Sequence, residues 1–182
     1  MSAMPEHQPS WLPPDVESPQ PPPLVRADAP EPFWAWVGAH GGAGVTTLAE
    51  AVPGGIDLGR WIPSELARRR LPMVAVCKAD ARGLLAARTL AARAHAAAEQ
   101  VLGLVVVADI PERRRPKPLT DSLSVTRGAY PKVWEMPWVL PWRLGDAPSR
   151  VNNPPQVPEL LRALWTAVGL PLPGSTQQQR KP

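Results

Sequence analysis

The residues whose types and spacing could do chemistry stand together in "GAHGGAGVTT", Gly38 to Thr47. A loop that holds phosphate aims successive backbone N–H groups at anionic oxygens, at the positive end of a helix. Its backbone must approach the ligand closely and adopt positive φ, which glycine permits. Gly41, Gly42 and Gly44 meet that need, with Ala43 between them. In such loops the threonine directly after a lysine gives its hydroxyl to magnesium, and Thr46, followed by Thr47, stands at that place. The lysine does not: Val45 fills its position. His40, just ahead of the glycine pair, can stand in for a lysine only when protonated, and it reaches less far. A magnesium site also wants an acid, and two are available. Asp109 closes the valine-rich "VVVADIP", and Asp57 lies in "GIDLGR". Asp109 has the better context, at the carboxyl end of an expected strand, where open parallel sheets bind their ligands.

The elements that would position these residues follow from periodicity. "FWAWV" (Phe33–Val37) is wholly apolar and ends in glycine, as suits a strand buried on both faces. Thr46–Val52 can begin a helix, which Pro53, Gly54 and Gly55 stop within two turns. A short helix is expected over Ser64–Arg70, and a second buried strand over "MVAVC" (Met73–Cys77). Asp80 is placed to cap a helix running from Ala81 to about Gln100. "VLGLVVVAD" (Val101–Asp109) reads as a third strand, and a helix is expected around Asp121–Arg127. "VPELLRALWTAVG" (Val157–Gly169) closes as an amphipathic helix. Strands alternating with helices predict an α/β fold with a parallel sheet.

With strand, glycines and threonines in this order, the stretch resembles the deviant Walker A loop of the Min/Par-type P-loop ATPases. Those proteins carry a signature lysine before the glycine pair as well as the usual lysine before the threonines. Here the two positions hold His40 and Val45. "VLGLVVVADIPERRRPKPL" and "GAYPKVWEMPWVLPWRL" resemble late strands of that superfamily, compressed. On this alignment Asp109 matches either the magnesium-holding acid or the end of the later base-recognition strand, and both readings stay open. The chain also resembles small uncharacterised actinobacterial proteins found near plasmid-transfer and secretion genes. The resemblance implies ATP or ADP with magnesium as cofactor, held by His40, Gly41, Gly42, Ala43, Gly44, Val45, Thr46, Thr47 and Asp109. Thr46 with Asp109 or Asp57 would face the metal. It implies a homodimer closed across the nucleotide, but the signature lysine that makes that contact is missing. Each lost lysine removes a charge-assisted contact of roughly 1.5–3 kcal/mol, so two imply nucleotide affinity weaker by on the order of 10²- to 10⁴-fold. Hydrolysis suffers further, because the lysine stabilises charge on the transferring phosphate.

Trp134, Met136, Trp138, Leu140 and Trp142 share one parity, as side chains do on one face of a strand. Pro137 and Pro141 remove two backbone donors and point to an edge strand or an extended segment. Core packing explains such a row. A partner-docking strip carried by Trp138 and Trp142 is the sharper alternative, since tryptophan dominates interface hot spots. Arg68–Arg70 and Arg113–Arg115 with Lys117 form basic clusters, yet no nucleic-acid reader motif accompanies them, which argues against DNA or RNA. Arg82, Thr89 and Arg93 fall on one helical face, read as the wet side of that helix. The three histidines are scattered, no GxSxG elbow occurs, and Cys77 lies within an apolar run without an evident base.

Composition frames the rest. The chain has 182 residues, enough for one domain with a real core. Ten of its 26 prolines fall in the first 32 residues. Residues 1–31 hold five acids against Arg26, a formal charge of −4, which leaves +8 on the remainder of a chain whose total is +4. We expect a disordered Pro-rich acidic arm over 1–31, a P-loop-like α/β domain over 32–170 and a disordered tail over 171–182. Trp11 is the arm's one large anchor. A single cysteine excludes a disulfide framework and a multi-cysteine metal cluster. The start of the chain lacks a secretory pattern, and no apolar run reaches the roughly 20 residues that span a bilayer, so a cytoplasmic protein is expected. The functional expectation is a degenerate P-loop NTPase-like accessory protein without hydrolysis, serving a protein partner in a DNA-transfer or secretion machine. An active Min/Par-like ATPase and a nucleotide-independent interaction module are the alternatives.

Overall fold

A computed structural model describes residues 31–60, 70–111, 115–149 and 151–171, all within the unit Glu31–Pro182. The arm with Trp11, the C-terminal tail from 172 and most of the helix expected over Ser64–Arg70 lie outside the described residues, as do Arg68, Arg113 and Arg114.

The elements in chain order are β1 (Trp34–Gly38), α1 (Val45–Ala51), β2 (Gly55–Arg60), β3 (Met73–Lys78) and α2 (Ala81–Ala96). They continue with β4 (Val101–Val107), α3 (Lys117–Arg127), β5 (Val133–Met136), α4 (Leu140–Arg143) and α5 (Gln156–Ala167). The five strands make one sheet in the order β2-β1-β3-β4-β5, and every pairing is parallel. The fold is therefore α/β, with helices on both faces.

Alternation along β1 shows how the layers form. Trp34 and Trp36 join Leu48 and Val52 of the α1 region and Leu160 and Leu164 of α5 in one core. Ala35 and Val37 point the other way, into a core shared with Leu84 and Leu90 of α2 and Leu123 of α3. All five β1 residues are buried, as expected of a wholly apolar strand covered on both sides. The two indoles meet edge to face at 6.1 Å, and Gly55 of β2 lies against them. A Cβ on Gly55 would sit 2.2 Å from Nε1 of Trp34, so the neighbouring strand can pair here only because the side chain is missing.

Four assignments differ from the sequence reading by more than two residues, each for a physical reason. β2 was not expected, because "GIDLGR" places only Ile56 and Leu58 in the core and is a half-buried edge strand. α2 stops at Ala96 and not near Gln100, and Ala98 there turns to φ 53. α3 begins four residues before Asp121, with prolines at the turn where a missing N–H costs nothing. The row of one parity from Trp134 to Trp142 is broken. β5 is an edge strand as the prolines require, but it ends at Met136, and Leu140–Arg143 coil into a single helical turn. Trp138 and Trp142 are thus not neighbours on one strand face.

Candidate functional site

The chain order reverses between β1 and β3, so the loops leaving their carboxyl ends diverge over opposite faces of the sheet. That divergence opens the crevice in which doubly wound folds hold ligands. The glycine loop, Ala39 to Gly44, is the connection from β1 to α1 on one side of it. Gly42 and Gly44 adopt φ of 72° and 97°, the conformations for which the sequence supplies glycine. No side chain caps the first turn of α1. Gly44 contributes only its carbonyl, which accepts from the N–H of Leu48 at 3.0 Å.

The two positions that would carry lysine are both committed elsewhere. Val45 is 8% exposed and packs into the core beneath α1. His40 turns across the crevice, and its Nε2 lies 3.1 Å from the main-chain N of Lys78 at the end of β3. An amide N–H can only donate, so Nε2 accepts and the ring proton resides on Nδ1, which donates to the Gly41 carbonyl at 2.9 Å. The imidazole joins the glycine loop to β3 through two backbone contacts and presents no cation to the loop. Gly83 makes room for this arrangement: a Cβ there would come within 2.4 Å of the Lys78 carbonyl oxygen and 3.1 Å of His40 Nε2.

Of the two acids, the structure brings Asp57 to the loop. Alternation along β2 sends Ile56 and Leu58 to the α2 side and Asp57 to the α1 side. There its Oδ2 accepts from Thr46 Oγ1 at 2.8 Å. Its Oδ1 accepts from the N–H of Gly59 at 2.6 Å, which fixes the carboxylate. Asp109 lies past the end of β4, where its Oδ1 pairs with Lys78 Nζ at 3.1 Å. Among the described residues no three His, Cys, Asp or Glu side chains gather as a metal cluster. One hydroxyl and one carboxylate are a partial set of hard oxygen donors. That suits a magnesium ion completed by phosphate and water, the usual arrangement for this ion.

Two hollows lie at the carboxyl edge of the sheet. A small one, about 100 Å³, sits over the loop and is lined by Gly42, Gly44 and Thr47, with Trp142 and Arg143 opposite. A larger one, about 520 Å³, lies at the ends of β4 and β5, lined among others by Asp109, Glu135, Trp138 and Gln156. Trp138 and Trp142 therefore belong to different hollows. Trp142 donates from Nε1 to Asn152 Oδ1 at 3.3 Å. Glu135 is bound by Arg115 at 2.9 Å and also by Arg127. On the far side of the sheet Arg82, Thr89 and Arg93 share one side of α2, and with Arg60 they line a third hollow of about 540 Å³.

Sequence reasoning passed over three residues that shape the site. Lys78 ends an apolar strand, and only the strand register shows that it meets His40 and Asp109. Gly83 was read simply as part of α2, although the close approach of the Lys78 carbonyl decides it. Arg143 follows a tryptophan in a proline-rich stretch, with nothing nearby in the sequence to connect it to a loop a hundred residues earlier.

No helix among the described residues is long and apolar enough to cross a membrane. Comparison with curated proteins and with solved structures gave no match. Residues 32–159, from the start of the described unit into α5, match a family of unknown function, DUF6668, and the chain belongs to that family.

Proposed function

We propose that this chain is a degenerate P-loop NTPase-like accessory protein that holds nucleotide phosphates weakly and does not hydrolyse them. The observation that carries the reading is the Thr46–Asp57 contact at 2.8 Å, set beside a glycine loop with positive φ at Gly42 and Gly44. A hydroxyl and a carboxylate so joined are what a magnesium–phosphate group requires of the protein, and packing alone does not call for them at an exposed loop. The phosphates would lie on the N–H groups of Gly41–Thr46, and magnesium, when bound, would neutralise part of their charge. Hydrolysis is set aside because Val45 is packed in the core and His40 is spent on backbone groups, which leaves no loop cation for a transferring phosphate. On the resemblance drawn from the sequence, the machine served is one of DNA transfer or secretion, through a protein partner.

Calorimetric titration of ATP, ADP and GTP with magnesium, repeated on Gly44→Val, tests this. Weak binding lost in the variant is expected. Steady ATP turnover abolished by Thr46→Ala would replace the reading with an active ATPase. A second reading, an interaction module indifferent to nucleotide, draws on Leu140 and Leu144, exposed by 56% and 75% one helical turn apart. It requires no response to any nucleotide up to millimolar concentration, and a partner lost on Trp138→Ala.

A further inference from the structure

The small hollow over the glycine loop and the large cavity at the ends of β4 and β5 share one lining residue, Pro137. The side chain of Arg143 also connects them. Its guanidinium lies 4.6 Å from the ring centroid of Trp138, and its Nη2 donates to the Ala108 carbonyl at 3.0 Å. Trp138 and Ala108 both line the large cavity, whereas Arg143 itself lines the small one with Gly42, Gly44 and Thr47.

Size separates what each space can hold. At about 100 Å³ the small hollow has room for a phosphate group. At about 520 Å³ the large one falls in the range of small-molecule sites, which is roughly 300–1,000 Å³. Its wall is mostly apolar, with an indole at one side. One acceptor among its lining residues lacks a donor: Gln156 Oε1 is buried with no partner. An acceptor out of water without a donor is costly, and a ligand N–H relieves it.

We propose that Arg143 is a movable partition between these spaces. Building on the nucleotide-binding reading above, a ligand with a phosphate and a flat N–H-bearing body enters by drawing the guanidinium off Trp138. The arginine then pairs with the phosphate, and the flat body takes the space beside the indole. One residue closes the crevice in the free protein and supplies the cation that Val45 and His40 do not. The anchors holding it are of the kind a phosphate can outbid: a cation–π contact at an exposed side chain and one carbonyl acceptor.

Calorimetry on wild-type protein, Arg143→Ala and Arg143→Lys tests the proposal, with ADP and GDP against adenosine and guanosine. Arg143 is exposed, and a thermal melt confirms that each variant folds. The partition predicts effects of opposite sign. Arg143→Ala should bind the diphosphate at least roughly tenfold more weakly, through loss of a charge-assisted contact. The same variant should bind the matching nucleoside more tightly than wild type does, because the wall has gone. Arg143→Lys keeps the charge and should retain most of the diphosphate affinity. Equal loss or equal retention for both ligand types in Arg143→Ala would overturn the partition while leaving nucleotide binding standing. If wild-type protein binds no diphosphate, the nucleotide reading fails. The nucleoside arm then decides alone: binding gained in Arg143→Ala supports the partition, and its absence overturns it.

Discussion

The main-chain N–H of Lys78 donates to Nε2 of His40 at 3.1 Å, and this contact joins the glycine loop to the strand across the crevice. A histidine in that role is structural. His40→Ala leaves a part-buried amide without its acceptor, and we expect a loss of roughly 1 kcal/mol in urea unfolding. Nucleotide affinity should fall little, provided the variant is measured well below its melting temperature. The reverse pattern, with stability unchanged and affinity much reduced, would make the imidazole a phosphate ligand after all.

Thr46 and Asp57 should act as a unit toward magnesium. Thr46→Ala and Asp57→Asn are each expected to reduce the gain in ADP affinity that magnesium gives over EDTA, and the double variant should lose little more than either alone. Groups in one hydrogen-bonded pair are non-additive, with coupling of roughly 0.5–3 kcal/mol. Asp109→Asn serves as the control, because its carboxylate pairs with Lys78. If Asp109→Asn abolishes the magnesium effect and Asp57→Asn does not, the assignment of acids must be exchanged.

That exchange marks where sequence reading reached its limit. The wholly apolar runs at Trp34–Val37 and Met73–Cys77 read as buried parallel strands because they are short, all apolar and bounded by turn signals. Asp80 announces α2 through its cap, and its Oδ1 does accept from the Gly83 N–H at 2.7 Å. Asp57 ranks below Asp109 in the sequence because an edge strand buries only alternate residues, and two such residues give no period to read. Trp138 and Trp142 had the right parity for a strand, but Pro137 ends β5 beforehand, and parity means nothing beyond a strand's end. Arg143 and Lys78 reach the crevice through sheet order alone, which a linear sequence expresses only weakly.

Two glycines offer a matched test of packing. At Gly83 a methyl group would press on the Lys78 carbonyl, a backbone atom that cannot step aside, at 2.4 Å. Gly83→Ala should therefore force α2 away from β3 and cost roughly 1–3 kcal/mol, as overpacking does. Gly128, with φ −68°, has its nearest neighbour at 3.5 Å and adopts a conformation open to any residue. Gly128→Ala should be neutral or stabilise by roughly 0.4–1 kcal/mol, by restricting the unfolded chain. Chemical denaturation of both reads the difference, and a neutral Gly83→Ala would show that the α2 start has slack.

Alkaline conditions should weaken the fold through Cys77. The thiol is fully buried under α2, and burial first, then the charge of Asp80, push it up from 9.0 to about 12. Burial likewise raises the Tyr130 hydroxyl, which donates to the Ala87 carbonyl at 2.7 Å. In the unfolded chain the thiol releases its proton near its ordinary value, while the folded chain keeps it. Between those two points the folded state holds more protons, so stability falls as pH rises, by about 1.4 kcal/mol per unit for one group. Below the ordinary value the contribution is present in full. Urea midpoints followed from pH ~8 to pH ~11 should decline in wild-type protein and decline less in Cys77→Ala, with Tyr130 adding its own slope above its ordinary value of 10.0. Identical slopes in the two proteins would mean that water reaches the thiol, and that the core beneath α2 is looser than a residue with no exposed surface implies.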